Sequence, residues 1–226
     1  MNQPGILPAR THPAPKQSVC NKKKLRPTFA GHDIGCHNAA METLSLAHHF
    51  LIAMPDMADP LFAKSIVYLC EHGEQGAMGV IINKPSGIVL AQLLEQIDLP
   101  LTNDDTNTTP VFFGGPVQPD RGFVLHKPIG NWQSTLTITD DLALSTSKDI
   151  LAAVADSRGP DKLQISLGYA GWEKGQLEEE IAANSWLTVA AEDWVIFDTP
   201  VEERYTCAIK LLGFDPALLS SVSGHA

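Results

Sequence analysis

The sequence predicts an α+β fold built on a mixed sheet, and three observations carry the prediction. Apolar runs of strand length recur along the chain. Several stand in adjacent pairs with a polar turn between them, and helix-patterned stretches are scattered among them rather than alternating regularly. A regular βαβ wrap needs that alternation, so helices are expected to flank a single sheet instead.

The elements follow in order. Residues 50–53 begin the first strand, and Asp59 stands where it can cap a single helical turn reaching Ala63. Residues 65–70 and 79–83 are apolar strands joined through the polar stretch 71–76, a hairpin signal. The spacing Gly73-x-x-Gly76-x-x-Gly79 resembles a phosphate cradle, but phosphate loops open a helix, whereas these glycines run into a strand. They read as turn and bulge positions. After Lys84-Pro85, Ser86 is the expected cap of a helix whose apolar positions Val89, Leu90, Leu93, Leu94 and Ile97 keep the 3.6-residue period.

Residues 102–109, rich in Asn, Asp and Thr, form a surface loop. Strands are expected at 111–113, 123–126 and 135–139, with Gly114-Gly115-Pro116 turning after the first. The box Thr146-x-x-Asp149 opens a helix that buries Ile150, Leu151 and Val154 and stops at Gly159-Pro160. Residues 163–169 form a strand and 175–183 a short helix with Leu177 and Ile181 inward, followed by strands at 186–190 and 194–197. The last helix has Thr199 as N-cap, Pro200 at its first position, Glu202 completing a capping box and Gly213 at its stop.

Charge divides the chain. Residues 1–40 carry six basic residues against one acid, a balance of +5, which leaves 10 basic and 25 acidic residues, or −15, for the remainder. Five prolines and no periodicity mark 1–40 as a disordered basic extension. Patterned sequence starts just after Met41, which is the expected translation start; a transit-like or nucleic-acid-contacting arm is the alternative. Residues 41–226 read as one domain. An acidic body repels phosphate, which disfavours direct nucleic-acid binding and points to a protein or a small ligand as partner. No apolar stretch approaches the roughly 20 residues that span a bilayer, and the extension lacks a secretory apolar core. The expected location is the cytoplasm.

Four cysteines lie far apart without metal-ligand spacing. Cys70 and Cys207 read as small buried hydrophobes in a reducing compartment, and neither metal nor cofactor is expected. Catalytic patterns are incomplete. Ser166 has the second glycine of a nucleophile elbow but Gln164 where the first belongs, and Ser145-x-x-Lys148 lacks the companion motifs of acyl-transferring serine enzymes. Ser166 reads as a strand serine and Ser145 as a helix-start serine. His48 and His49 are adjacent, while His72 and His126 stand alone, so none suggests a metal site. The Glu178-Glu179-Glu180 run reads as a solvated helix face.

Four segments then coincide. They are Met54-Pro55-Asp56-Met57-Ala58-Asp59-Pro60-Leu61-Phe62, Gly79-Val80-Ile81-Ile82-Asn83-Lys84-Pro85, Gly114-Gly115-Pro116-Val117 with Arg121-Gly122-Phe123-Val124-Leu125-His126, and Gly168-Tyr169-Ala170-Gly171-Trp172 leading into Gln176-Leu177 and Glu180-Ile181. In order and spacing they resemble the AlgH/YqgE family over essentially Met41 to the C-terminus. The resemblance implies a bifurcated mixed β-sheet closed into a pseudo-barrel with flanking helices. It implies a bacterial, cytosolic protein of a family without an assigned molecular activity, some of whose members carry the label of transcriptional regulator.

The matched segments also hold the candidate binding residues: Asn83, Lys84, Gly114, Gly115, Arg121, His126, Tyr169 and Trp172. If they converge, polar and aromatic side chains line a groove with room for a peptide or a small anionic ligand. Otherwise the glycines make turns, the aromatics pack the core and Arg121 pairs with an acid such as Asp120. The expected function is a non-enzymatic regulatory or interaction protein, any transcriptional effect being indirect. The alternative is a binding module or small enzyme that clamps an anion with Arg121, His126 and Lys84.

Overall fold

A computed structural model describes residues 45–100 and 108–213. The expectations for residues 1–40, the Met41 start, Cys20 and Cys36, and most of the 102–109 loop lie outside the described residues. The strands are β1 (His49–Ala53), β2 (Ile66–Gly73), β3 (Gly76–Ile81), β4 (Pro85–Val89), β5 (Pro110–Phe113), β6 (Val117–Lys127), β7 (Thr135–Thr137), β8 (Ala143–Ser145), β9 (Lys162–Trp172) and β10 (Trp186–Ala190). The helices are α1 (Leu90–Gln96), α2 (Lys148–Ala155), α3 (Gln176–Ala182), α4 (Asp193–Phe197) and α5 (Val201–Leu211).

The strands follow the path β10-β1-β2-β3-β9-β6-β8-β7, with β4 and β5 branching from it. Most pairs are antiparallel, and β5 with β9 is parallel, so the sheet is mixed as expected. It curls into a half-barrel flanked by the five helices. The bifurcation occurs along β9. Its first part, through Leu167, runs between β5 and β6, while Ala170–Trp172 pairs with Gly79–Ala77 of β3.

That split requires two backbones to pass almost in contact. The Ile81 amide donates to the Gly114 carbonyl at 2.8 Å, and the Gly114 amide donates to the Leu167 carbonyl at 2.8 Å. A Cβ at Gly115 would sit 2.2 Å from the Tyr169 carbonyl carbon, and one at Gly168 would sit 2.3 Å from the Gly115 oxygen. Gly168 also has φ of +71°. Only glycine fits there, because the obstruction is backbone and cannot rotate away.

The apolar runs are continuous because β1, β2 and β3 are covered on both faces. Phe50, Ile52, Ile66, Tyr68, Val80 and Ile82 face a core closed by Val195, Ile196, Ala208 and Ile209 of α4 and α5. Leu51, Ala53, Val67, Leu69 and Ile81 point the other way, onto Trp172, Leu177 and Trp186. A third cluster joins Leu90, Leu93 and Leu94 of α1 to Ile150, Leu151 and Val154 of α2, across Val111, Val124 and Ile165.

Buried Arg204 on α5 ties the layers together. Its Nη1 donates to the Ile82 carbonyl and, at 2.5 Å, to Gln164 Oε1, while Nε reaches the Thr199 carbonyl at 3.1 Å. Its guanidinium lies 5.2 Å from the centroid of the Phe112 ring. Burial pulls its pKa down to about 10, which keeps it charged at neutral pH.

Asp59 caps its turn through an Oδ1 contact from the Leu61 amide at 2.8 Å, and the β2–β3 hairpin turns at Glu74-Gln75 with a bulge between Leu69 and Glu71. Cys70 and Cys207 are buried. Five local readings are corrected. Helix α1 starts at Leu90 rather than after Ser86, because 85–89 pairs with β5, Ser86 donates to the Val111 carbonyl, and Gly87 has φ of +89°. Residues 194–197 form helix α4 rather than a strand. Thr199 donates to the Trp194 carbonyl at 3.0 Å, so it closes α4, while Pro200 takes the N-cap of α5. Ser147, rather than Thr146, precedes α2, and its hydroxyl donates to Asp149. Strand β8 had no expectation, and β6 starts six residues before 123.

Gly115→Ala is expected to lower the stability of the full chain by about 3 kcal/mol or more in chemical denaturation, since fixed backbone must move. Gly122→Ala, whose new Cβ would have as its nearest neighbour Leu151 Cδ1 at 3.8 Å, should change it by less than about 1 kcal/mol. Equal effects would contradict the crossing.

Candidate functional site

The loop after β1, the end of β9, helix α3 and the start of β10 meet around one half-open cavity of about 680 Å³. The loop supplies Met54, Asp56, Met57, Ala58, Asp59 and Phe62, and β9 brings Gly171 and Trp172. Gln176 and Glu180 come from α3, Trp186 comes from β10, and Pro116 follows the glycine crossing.

A fixed aromatic frame forms its wall. The Trp172 and Trp186 rings meet edge to face at 6.0 Å and 80°, and Phe62 packs 5.6 Å from Trp186 and 6.4 Å from Trp172. A buried indole N–H needs an acceptor. Both indoles donate to Glu180 Oε2, at 2.9 Å from Trp172 and 2.8 Å from Trp186. Gln176, one helical turn earlier, donates to Glu180 Oε1 at 2.9 Å and accepts the Glu173 amide at 3.0 Å. One carboxylate thus orients two tryptophans and anchors α3.

The Glu178-Glu179-Glu180 run is therefore only partly a solvated face. Glu178 accepts from His72 Nε2 at 2.9 Å, the Leu46 amide having occupied Nδ1. Glu180 carries the frame, and Glu179 is exposed.

The eight residues expected to share a groove fall at several places, although Tyr169 and Trp172 together line a cavity of about 760 Å³ beside the β2–β3 turn. Trp172 lines the cavity just described. Arg121 and Tyr169 line a shallower one of about 410 Å³, where Arg121 donates to Thr146 Oγ1 at 2.8 Å and sits 5.7 Å over the Phe123 ring. Among the described residues it pairs with no carboxylate, Asp120 included. Asn83 and Lys84 border a third cavity of about 590 Å³ against α5. Asn83 accepts the Ile66 amide and donates to the Lys64 carbonyl, while Lys84 donates to the Leu61 carbonyl at 2.7 Å. Burial pulls the Lys84 amine down. Gly114 and Gly115 form the crossing, one residue before Pro116.

His126 is fully buried on β6. Its Nε2 meets Ser145 Oγ at 2.8 Å, its Nδ1 meets the Pro128 carbonyl at 3.0 Å, and Ser145 Oγ also meets Thr135 Oγ1 at 2.7 Å. Ser145 is thus a strand residue sealed in the core rather than a helix-start serine, and no cavity described above includes His126. Ser166 is also buried, and among the described residues its hydroxyl has no hydrogen-bond partner and no base to activate it.

Glu180, Trp186, Phe62 and Met57 were not among the expected site residues. The available signal was a pairing requirement: buried tryptophans need acceptors, and Gln176 and Glu180 share one face of a short helix between Trp172 and Trp186.

Burial lowers the pKa of His126 below the ordinary 6.5, and His48 shifts the same way for the same first cause. The folded state then holds neutral imidazole while the unfolded state takes up protons below pH 6.5, so stability is present above that pH and falls below it. The denaturation midpoint should drop between pH 7.5 and 5.5, and the drop should shrink in His126→Asn. An identical drop in both proteins would contradict the assignment.

The AlgH-like (DUF179) family model matches residues 50–217. A UPF0301 protein of Chromobacterium violaceum is 71% identical over 186 residues, covering 82% of this chain and 100% of its own, and one of Laribacter hongkongensis is 61% identical with the same coverage. The solution structure of the AlgH protein from Pseudomonas aeruginosa is similar at 50% identity and a TM-score of 0.69, covering 84% of this chain and 100% of that one. A Corynebacterium diphtheriae protein, at 18% identity and a TM-score of 0.58 over 79% of this chain and 91% of its own, shares the fold. By its sequence and by its bifurcated half-barrel, the chain belongs to the AlgH-like family.

Proposed function

We propose that the protein is a non-catalytic regulatory or interaction protein whose working surface is the cavity walled by Trp172 and Trp186, and that any effect on transcription passes through a protein partner. One observation carries the reading. Three of the four segments that carry the family resemblance, 54–62, the stretch containing Pro116, and 168–181, lie far apart in sequence and meet at this one cavity. Packing alone does not require an opening where they meet.

The lining combines apolar and aromatic side chains with Asp56, Asp59, Gln176 and Glu180, and Glu180 fixes the two tryptophans before anything binds, which are the features of a preformed docking pocket. The sealing of the Ser145–His126 pair in the core supports a non-catalytic role, since no substrate reaches it. The acidic charge of the body supports an indirect action on nucleic acid. The reading keeps the cytoplasmic location expected from the sequence, and among the described residues no helix is long and apolar enough to cross a membrane.

A second reading, a small anion-binding module, draws on the Arg121 cavity, which no carboxylate lines among the described residues. Arg121→Ala would abolish that binding and leave the Trp172–Trp186 cavity intact.

Ala58 is exposed at the cavity's rim, so Ala58→Arg fills the mouth without entering the core. In affinity capture from bacterial lysate with the full chain, at least one protein retained by the wild type should be lost with Ala58→Arg while the denaturation midpoint is unchanged. Identical retention by both proteins would overturn the reading.

A further inference from the structure

We infer that the Trp172–Trp186 cavity receives an arginine side chain from a basic peptide segment of the partner; this rests on the docking reading above. Three carboxylates line the cavity, Asp56, Asp59 and Glu180, and among the described residues no Lys, Arg or His lines it. Among the described residues none of the three forms an ion pair. Glu180 is met by the two indole N–H groups and the Gln176 amide, all uncharged, so its hydrogen bonds are filled while its charge is not neutralised. Lys84 feels Asp59 electrostatically, but its Nζ is committed to the Leu61 carbonyl at 2.7 Å.

The rest of the wall suits the same guest. Trp172 and Trp186, whose indoles bond Glu180, are buried and leave little ring surface at the cavity, while half-buried Phe62 packs on both; a guanidinium stacks on an aromatic face such as that of Phe62 and pairs with carboxylates in its own plane. The lysine ammonium is a compact, strongly hydrated charge that gains less from such a slot. Met54 and Met57 give the side chain's methylene stem a deformable apolar surface. A body of net charge −15 attracts a basic segment over long range and repels an acidic or phosphorylated one.

The test follows the indole N–H signals of Trp172 and Trp186 by NMR in the full-length chain. Three peptides are titrated: acetyl-Leu-Arg-Leu-amide, the same peptide with citrulline for arginine, and the same with glutamate. The arginine peptide should shift both signals saturably, at least ten-fold more tightly than the citrulline peptide, and its binding should weaken as salt is raised. Glu180→Gln, which keeps a carbonyl for the indoles but removes the charge, should weaken it about ten-fold, and Ala58→Arg should abolish it. If the arginine and citrulline peptides bind alike, the inference fails while docking at this cavity stands. If the arginine peptide produces no saturable shift, the inference fails as well, and the docking reading is then decided separately by partner capture.

Discussion

Where the Gly114-Gly115 turn crosses Gly168, two backbones pass with no room for a side chain, and the course of the surrounding strands follows from that contact. On one side of the crossing β9 runs between β5 and β6; beyond it β9 turns to pair with β3. A wider crossing would separate the two parts of the sheet and remove the hydrogen bonds that Gly114 makes to Ile81 and Leu167. The same contact sets Pro116 and Trp172 beside the loop after β1, so the cavity's shape is inherited from the crossing. Arg204 holds the opposite side. Its bonds to Ile82 and Gln164 join α5 to the end of β3 and to β9, and its loss would leave buried carbonyls without donors.

Electrostatics then distinguishes the surfaces. Lys84 and His126 are cationic or titratable residues whose polar atoms are occupied by the fold, the first by loop carbonyls and the second by Ser145 and Pro128. Glu180 is also engaged in holding the structure, yet its partners leave its negative charge in place at the cavity wall. A carboxylate held by neutral donors is both a rigid positioning group and an attractor for cations. That dual character separates this cavity from the Arg121 cavity, where the charge has the opposite sign.

Much of the fold was legible in the sequence because local signals agreed with tertiary demand. The 65–70 and 79–83 runs with polar 71–76 between them gave the β2–β3 hairpin, and Leu177 with Ile181 located α3. The misreadings occurred where a short segment has two consistent local interpretations. The run Trp194–Phe197 is four apolar residues long, too short for a period to declare itself, and packing against the core made it helical. Ser86 followed by a periodic run looked like a cap, but Gly87 with positive φ and the pairing of 85–89 with β5 delayed the helix. The site was less legible for a similar reason. Sequence shows which side chains are polar or aromatic, but not which have already been satisfied; only the folded chain shows that Asn83 and His126 are occupied and that Trp172 and Trp186 share one carboxylate.

The central claim is that the protein acts by what its cavity holds, and the most direct measurement is made in the cell. The chromosomal copy is replaced by Ala58→Arg, its product confirmed at wild-type abundance, and the strain's proteome is compared with those of the wild type and of a deletion. The account predicts that the blocked protein reproduces the changes seen in the deletion. A proteome indistinguishable from wild type, with the blocked protein folded and abundant, would contradict it.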